Sequence, residues 1–172
     1  MDYTREVFLW QQTYATLFSV SNKIQAQMDK ELGALTSRQV MALTAVIHLP
    51  KGGASLNAIA KKMGTTKQNT KQLVSAMERK GYVIIAASES DKRAYSVEMT
   101  EQGQRAFTAS YMRGMFFFEK LFRDFSAEEL EMLWSMLKKL YRYDGEEQDG
   151  FEEPADFEYQ WQDGEVKPPG QE

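Results

Sequence analysis

The chain has 172 residues, enough for one well-packed domain with appended helices; 42% of them are hydrophobic and 27% charged, as in an ordinary soluble protein, and no apolar run approaches the roughly 20 residues needed to span a bilayer. Cysteine is absent and His48 is the single histidine, which excludes disulfides, thiolate metal sites and a cysteine nucleophile; with no Ser/His/Asp set, phosphate-cradling glycine loop or metal-ligand cluster either, neither an enzyme nor a cofactor is expected. The net charge of −4 hides an asymmetry, because residues 144–172 hold eleven Asp and Glu against one Lys (−10) and residues 1–143 carry +6.

The N-terminal MDYTREVFLWQQ has no small-residue cleavage pattern, so it reads as mature sequence of a cytoplasmic protein with no membrane partner. A first helix is predicted from about Arg5 to Leu32, with Leu17, Val20, Ile24 and Met28 at helical spacing and Gly33 closing it. Its first half is rich in aromatics: Phe8, Trp10, Tyr14 and Phe18. Thr36-Ser37-Arg38-Gln39 fits a capping box ahead of a helix carrying Val40, Leu43 and Ile47, and that helix ends near His48, which reads as a structural, partly buried residue. Pro50 and Gly52-Gly53 stop it.

Ser55 caps a shorter helix with the stripe Leu56, Ile59, Ala60, Met63, and Gly64 interrupts it. Thr65-Thr66-Lys67-Gln68 then repeats the capping-box pattern, which predicts a helix-turn-helix. In the second helix Thr70, Leu73, Val74 and Met77 form the inward stripe, while Lys67, Gln68, Lys71, Gln72 and Ser75 make an outward face without a carboxylate. Gly81 ends it. Tyr82 to Ala86 and Tyr95 to Met99 read as two strands, with Tyr95, Val97 and Met99 turned to the core, joined by the charged SESDKRA loop. Such a hairpin after a helix-turn-helix is a wing.

The remainder is helical. Residues from about Glu101 to Asp124 are followed by a capping box at Ser126 to Glu129 and a helix with Leu130, Leu133, Trp134, Leu137 and Tyr141 along one side. Phe107, Phe116, Phe117, Phe118, Leu121, Phe122 and Phe125 exceed what one face of a monomeric helix buries, which points to symmetric self-association. From Asp144 onward no period persists and three of the four prolines occur, so 144–172 is expected to be an acidic, disordered tail, with Phe151, Phe157, Tyr159 and Trp161 interleaved among its carboxylates.

Groove chemistry assigns the outward face a role. A major groove admits one helix; Lys67 and Lys71 can reach guanine acceptors or phosphates, and Gln68, Asn69 and Gln72 can pair with adenine edges. Thr65 and Thr66 add phosphate or thymine-methyl contacts, and Ser37 and Arg38 are further candidates at the start of the helix capped by Thr36. A solvated polar face is the ordinary reading of a lone helix. Here turn, helix and wing coincide with nine basic against three acidic residues between Lys51 and Arg93. In the wing, Arg93 is suited to the minor groove, Lys92 to phosphate, and Asp91 to holding the Arg93 guanidinium in place.

Asp91-Lys92-Arg93-Ala94, then Val97-Glu98-Met99-Thr100 and Gly103, resembles the wing signature of MarR-type (multiple-antibiotic-resistance) transcription regulators, and the likeness extends upstream through Leu35 to Gln39, Leu56 to Met63 and Leu73 to Gly81. The resemblance implies a mainly α fold with a small β-hairpin wing: a winged helix-turn-helix at 34–100 flanked by dimerisation helices at 1–33 and 101–143, forming a single domain over 1–143. It further implies a homodimer that binds double-stranded DNA at a palindromic operator, most often as a repressor released by a small aromatic or phenolic effector. Thiol-oxidation sensing is excluded by the lack of cysteine. The alternative is a winged-helix interaction or architectural module without a specific operator.

Overall fold

The computed structural model of the chain describes residues 3–50, 52–87, 95–147 and 151–152. Among the described residues, six helices and one hairpin follow one another: α1 (Tyr3–Glu31), α2 (Ser37–Ile47), α3 (Leu56–Lys62), α4 (Lys67–Arg79), β1 (Val83–Ala87), β2 (Tyr95–Met99), α5 (Glu101–Leu121) and α6 (Ala127–Tyr141), with a 3-10 turn at Arg142–Asp144. The architecture is the expected mainly helical winged helix-turn-helix.

The helix starts follow from side-chain capping. The Thr36 hydroxyl accepts from the Gln39 N–H while the Gln39 side chain takes the Thr36 N–H, and Ser126 and Glu129 do the same for α6. Ser55 accepts from the Ala58 N–H. The Glu128 carboxyl is held below the usual carboxylate range by its own backbone N–H and by the Ser126 hydroxyl. At α2 the Ser37 N–H, one of the donors a helix start leaves open, is met from outside the helix by Asp29 Oδ1 at 2.6 Å. That bond ties α2 to α1.

The core lies between α2, α3, α4, the hairpin and the first half of α5. Leu32, Leu35, Leu43, Ile59, Val74, Met77, Val83 and Phe107 are fully buried there. The hairpin is antiparallel, with Val83 opposite Met99, Ile85 opposite Val97 and Ala87 opposite Tyr95. The Val97 N–H also donates to the Ala54 carbonyl at 2.9 Å, which fastens the loop before α3 to the ribbon. Strict alternation fails in β2: Ser96 and Val97 are both buried, Met99 is half-buried, and Tyr95 is 69% exposed. Tyr95 pairs at the end of the ribbon farthest from α5, past the edge of the core.

Outside that core the apolar surface is extensive. Phe8, Trp10, Tyr14 and Phe18 on α1 are exposed, as are Met132, Trp134 and Met136 on α6, and α6 buries none of its residues.

A Cβ added at Gly103, the third residue of α5, would collide with the carbonyl of Tyr82 and lie 2.9 Å from Met99 Cγ. Gly103→Ala is therefore expected to destabilise the fold by about 3 kcal/mol. In thermal unfolding that is a fall of roughly 6 to 12 °C. An unchanged midpoint would show that the α5–hairpin contact is looser than described.

Candidate nucleic-acid interface

The turn between α3 and α4 is built on Gly64, whose φ of +61° is a left-handed conformation that costs other residues steric strain. Around it the Thr65 N–H donates to the Ala60 carbonyl at 2.9 Å and the Gly64 N–H to Lys61 at 3.1 Å, the paired bonds of a Schellman ending. Thr65 is thereby consumed in closing α3. The cap of α4 falls one residue later than the sequence pattern suggests, on Thr66, whose Oγ1 accepts from the Asn69 N–H at 3.2 Å. With Asn69 at the third position in place of Gln68, the reciprocal half of the box is absent.

Helix α4 then divides as its spacing predicts. Thr70, Val74 and Met77 are buried, the Thr70 hydroxyl donating to the Thr66 carbonyl at 3.1 Å, and Leu73 is half-buried. Thr66, Lys67, Gln68, Asn69, Lys71 and Gln72 are exposed together, Thr65 is partly exposed beside them, and Ser75 is half-buried. No carboxylate occurs between Lys67 and Met77. This face presents cations and amide groups that both donate and accept, as readout of base edges requires.

Two candidates from α2 fare differently. Arg38 is exposed, with Nε donating to Gln25 Oε1 of α1 at 3.2 Å. Ser37 is buried, 4% exposed, and its N–H is taken by Asp29, so it is not presented to a duplex. The first position of α2 turns inward against α1, which the capping pattern alone does not reveal. Asp91, Lys92 and Arg93 lie outside the described residues.

Sequence reasoning missed the surroundings of Lys67. Ser55, Leu56, Asn57 and Tyr95 line one surface recess with it, of about 240 Å³, so the start of α3, the start of α4 and the far end of the ribbon converge. The exposed aromatic at Tyr95, adjoining a charged loop, was the available signal.

A family model described as the MarR family matches residues 35–94, the stretch that builds this face. Over that stretch the chain is similar to the MarR family. Over 91 residues, 53% of this chain and 57% of the other, it is 31% identical to a Bacillus subtilis (strain 168) protein described as an uncharacterized HTH-type transcriptional regulator, YfiV. The match thus spans little more than half the length of that relative. Among solved structures, the organohalide-sensing transcriptional regulator RdhR in its 2,4-dichlorophenol-bound form superposes with a TM-score of 0.69 at 18% identity, covering 80% of this chain and 81% of that one. The S. aureus MepR–DNA complex superposes with a TM-score of 0.66 at 23% identity, covering 76% and 96% respectively. At such identities the likeness establishes the MarR fold.

The shifted cap has a direct check. Thr66→Ala should cost about 1 kcal/mol of stability, whereas Thr65→Ala should cost a few tenths at most, by denaturant unfolding. The reverse ranking would return the cap to Thr65.

Proposed function

We propose that the protein is a dimeric, sequence-specific DNA-binding regulator of transcription, acting as a repressor. The observation that carries this reading is the exposed, carboxylate-free face of α4, set beside a wing in a MarR fold. α4 enters the major groove, where Lys67 and Lys71 meet guanine acceptors or phosphate and Gln68, Asn69 and Gln72 pair with adenine edges. The Thr65 and Thr66 hydroxyls and Arg38 contact the backbone. Arg93 of the wing enters the neighbouring minor groove, with Lys92 on phosphate and Asp91 holding Arg93.

The second subunit is inferred from the unpartnered apolar faces. α1 and α6 together expose Phe8, Trp10, Phe18, Met132, Trp134 and Met136, more than a monomer leaves in water without a purpose. A two-fold axis through these helices would present two copies of α4 to half-sites about one helical turn apart, roughly 34 to 36 Å. A small aromatic effector is part of the same reading, supported by the dichlorophenol-bound relative.

Selection of bound duplexes from a random DNA pool should enrich a palindrome; recovery of no sequence would remove the regulator reading. On that operator, Gln72→Ala is expected to cost about 1 to 3 kcal/mol and to relax preference at one base position. Arg93→Ala should weaken binding generally and lower the slope of log affinity against log salt by about one. Sedimentation should give a dimer. Leu137→Glu should weaken it by at least about tenfold, and a wild-type monomer without duplex binding would favour the interaction-module alternative.

A further inference from the structure

The start of the acidic tail does not leave the body. Phe151 is half-buried against the core cluster, its ring edge-on to His48 with centroids 5.4 Å apart. The Lys62 ammonium, on a residue only 7% exposed at the end of α3, lies 5.3 Å from the centre of the Phe151 ring, within cation–π range. Next to it Glu152 pairs with Lys138 of α6 at 3.4 Å.

The residues just after α6 lie against the flank of the helix-turn-helix. Tyr141 packs over Gly64, where an added Cβ would meet its ring at 3.4 Å. Lys61, Gly64 and Thr65 share one surface recess of about 300 Å³ with Asp144, Glu146 and Glu147. These carboxylates are locally organised: Asp144 Oδ1 accepts from the Glu146 N–H at 3.1 Å, and Glu147 pairs with Arg142 at 3.6 Å. In a helix-turn-helix docked in a major groove, the first helix and the turn lie along the phosphate backbone. The strap therefore puts negative charge where a phosphate strand would run.

We propose that residues 142–147 together with Phe151 and Glu152 act as an intramolecular strap, anchored by Phe151 between His48 and Lys62, whose carboxylates compete with DNA phosphate for the α3–α4 turn. This rests on the DNA-binding reading above. The occupant of the surface is the chain's own segment, and three features define the fit: an aromatic plug, the Glu152–Lys138 clasp, and acidic residues facing Lys61 and the turn. Binding DNA requires the strap to move or its charge to be screened, so the restraint weakens as salt rises.

The test compares full-length wild type, Phe151→Ala, and the surface double variant Glu146→Gln/Glu147→Gln on an operator selected from a random pool. Both variants should bind more tightly than wild type, on the order of tenfold at low ionic strength, with the gain fading as salt increases. Independently of DNA, labelling of Lys62 by an amine-reactive reagent, followed by mass spectrometry, should be faster in Phe151→Ala and unchanged in the double variant. Equal Lys62 labelling in wild type and Phe151→Ala would overturn the anchor. Equal operator affinity in all three proteins would overturn the competition, even with Lys62 exposed. Absence of duplex binding by any of them would instead sink the regulator reading, and the competition with it.

Discussion

The placement of α4 depends on one junction, where its end meets the start of α5. The turn after α4 offers three consecutive carbonyls, and the α5 side supplies a donor to each. Gln102 Nε2 donates to Lys80 at 3.2 Å, the Thr100 hydroxyl to Gly81 at 2.6 Å, and the Thr100 N–H to Tyr82 at 3.1 Å. The acceptors lie just past the end of α4, and the donors are the N-cap of α5 and a side chain of its first turn, so the start of α5 satisfies carbonyls that the turn leaves open. Thr100 also caps α5, accepting from the Gly103 N–H at 3.0 Å. Because all this is fitted around Gly103, where a Cβ would enter Tyr82, α4, the ribbon and the first turns of α5 hold a fixed relation.

The opposite side of the domain is held differently. The turn before α4 closes with its own backbone bonds at Gly64, and β2 is stitched to the loop at Ala54. Between α1 and α2, however, the hydrogen bonds run through side chains: the Asp29 carboxylate on the Ser37 N–H, and the exposed Arg38 on Gln25. That joint has two hydrogen bonds, one of them between exposed side chains, against three converging on one turn at the α4–α5 corner, and local opening favours the weaker joint. A ligand or partner that displaces α5 would carry α4 with it, whereas one that displaces α1 would first work on the Asp29 contact.

Much of this was legible in the residues. The helix order, the hairpin, the caps at Thr36, Ser55 and Ser126 and the polar face of α4 follow from local pattern, because each is decided within a few residues. What was not legible depends on neighbours remote in sequence. Two adjacent threonines fit the cap of α4 equally well until the Schellman ending of α3 takes Thr65. Ser37 looks like a surface residue at a helix start until Asp29 of α1 covers it. Tyr95 alternates with core residues, yet the core ends before it does. Phe151 sits in a stretch with a disordered composition and is recognisable as an anchor only once His48 and Lys62 are brought to it. The wing-tip assignments at Asp91 to Arg93 rest on the sequence alone.

The exposed helices set a last constraint. An isolated helix of 12 to 15 residues is marginal in water, and α6, with 15 residues, buries none of them. Its capping box, the Lys138 ammonium 3.7 Å from the centre of the Trp134 ring, and the Glu152 ion pair are open to solvent in part or in full, each a fraction of a kcal/mol to about 1 kcal/mol. They cannot offset the cost of ordering the helix while leaving Trp134, Met132 and Met136 in water. The winged-helix core needs no such help, because Leu32, Leu43, Met77 and Phe107 close it from within. Under the proposed dimer, α6 and the aromatic half of α1 would gain their burial only on association. Their order would then depend on protomer concentration, while the winged-helix unit stays folded throughout.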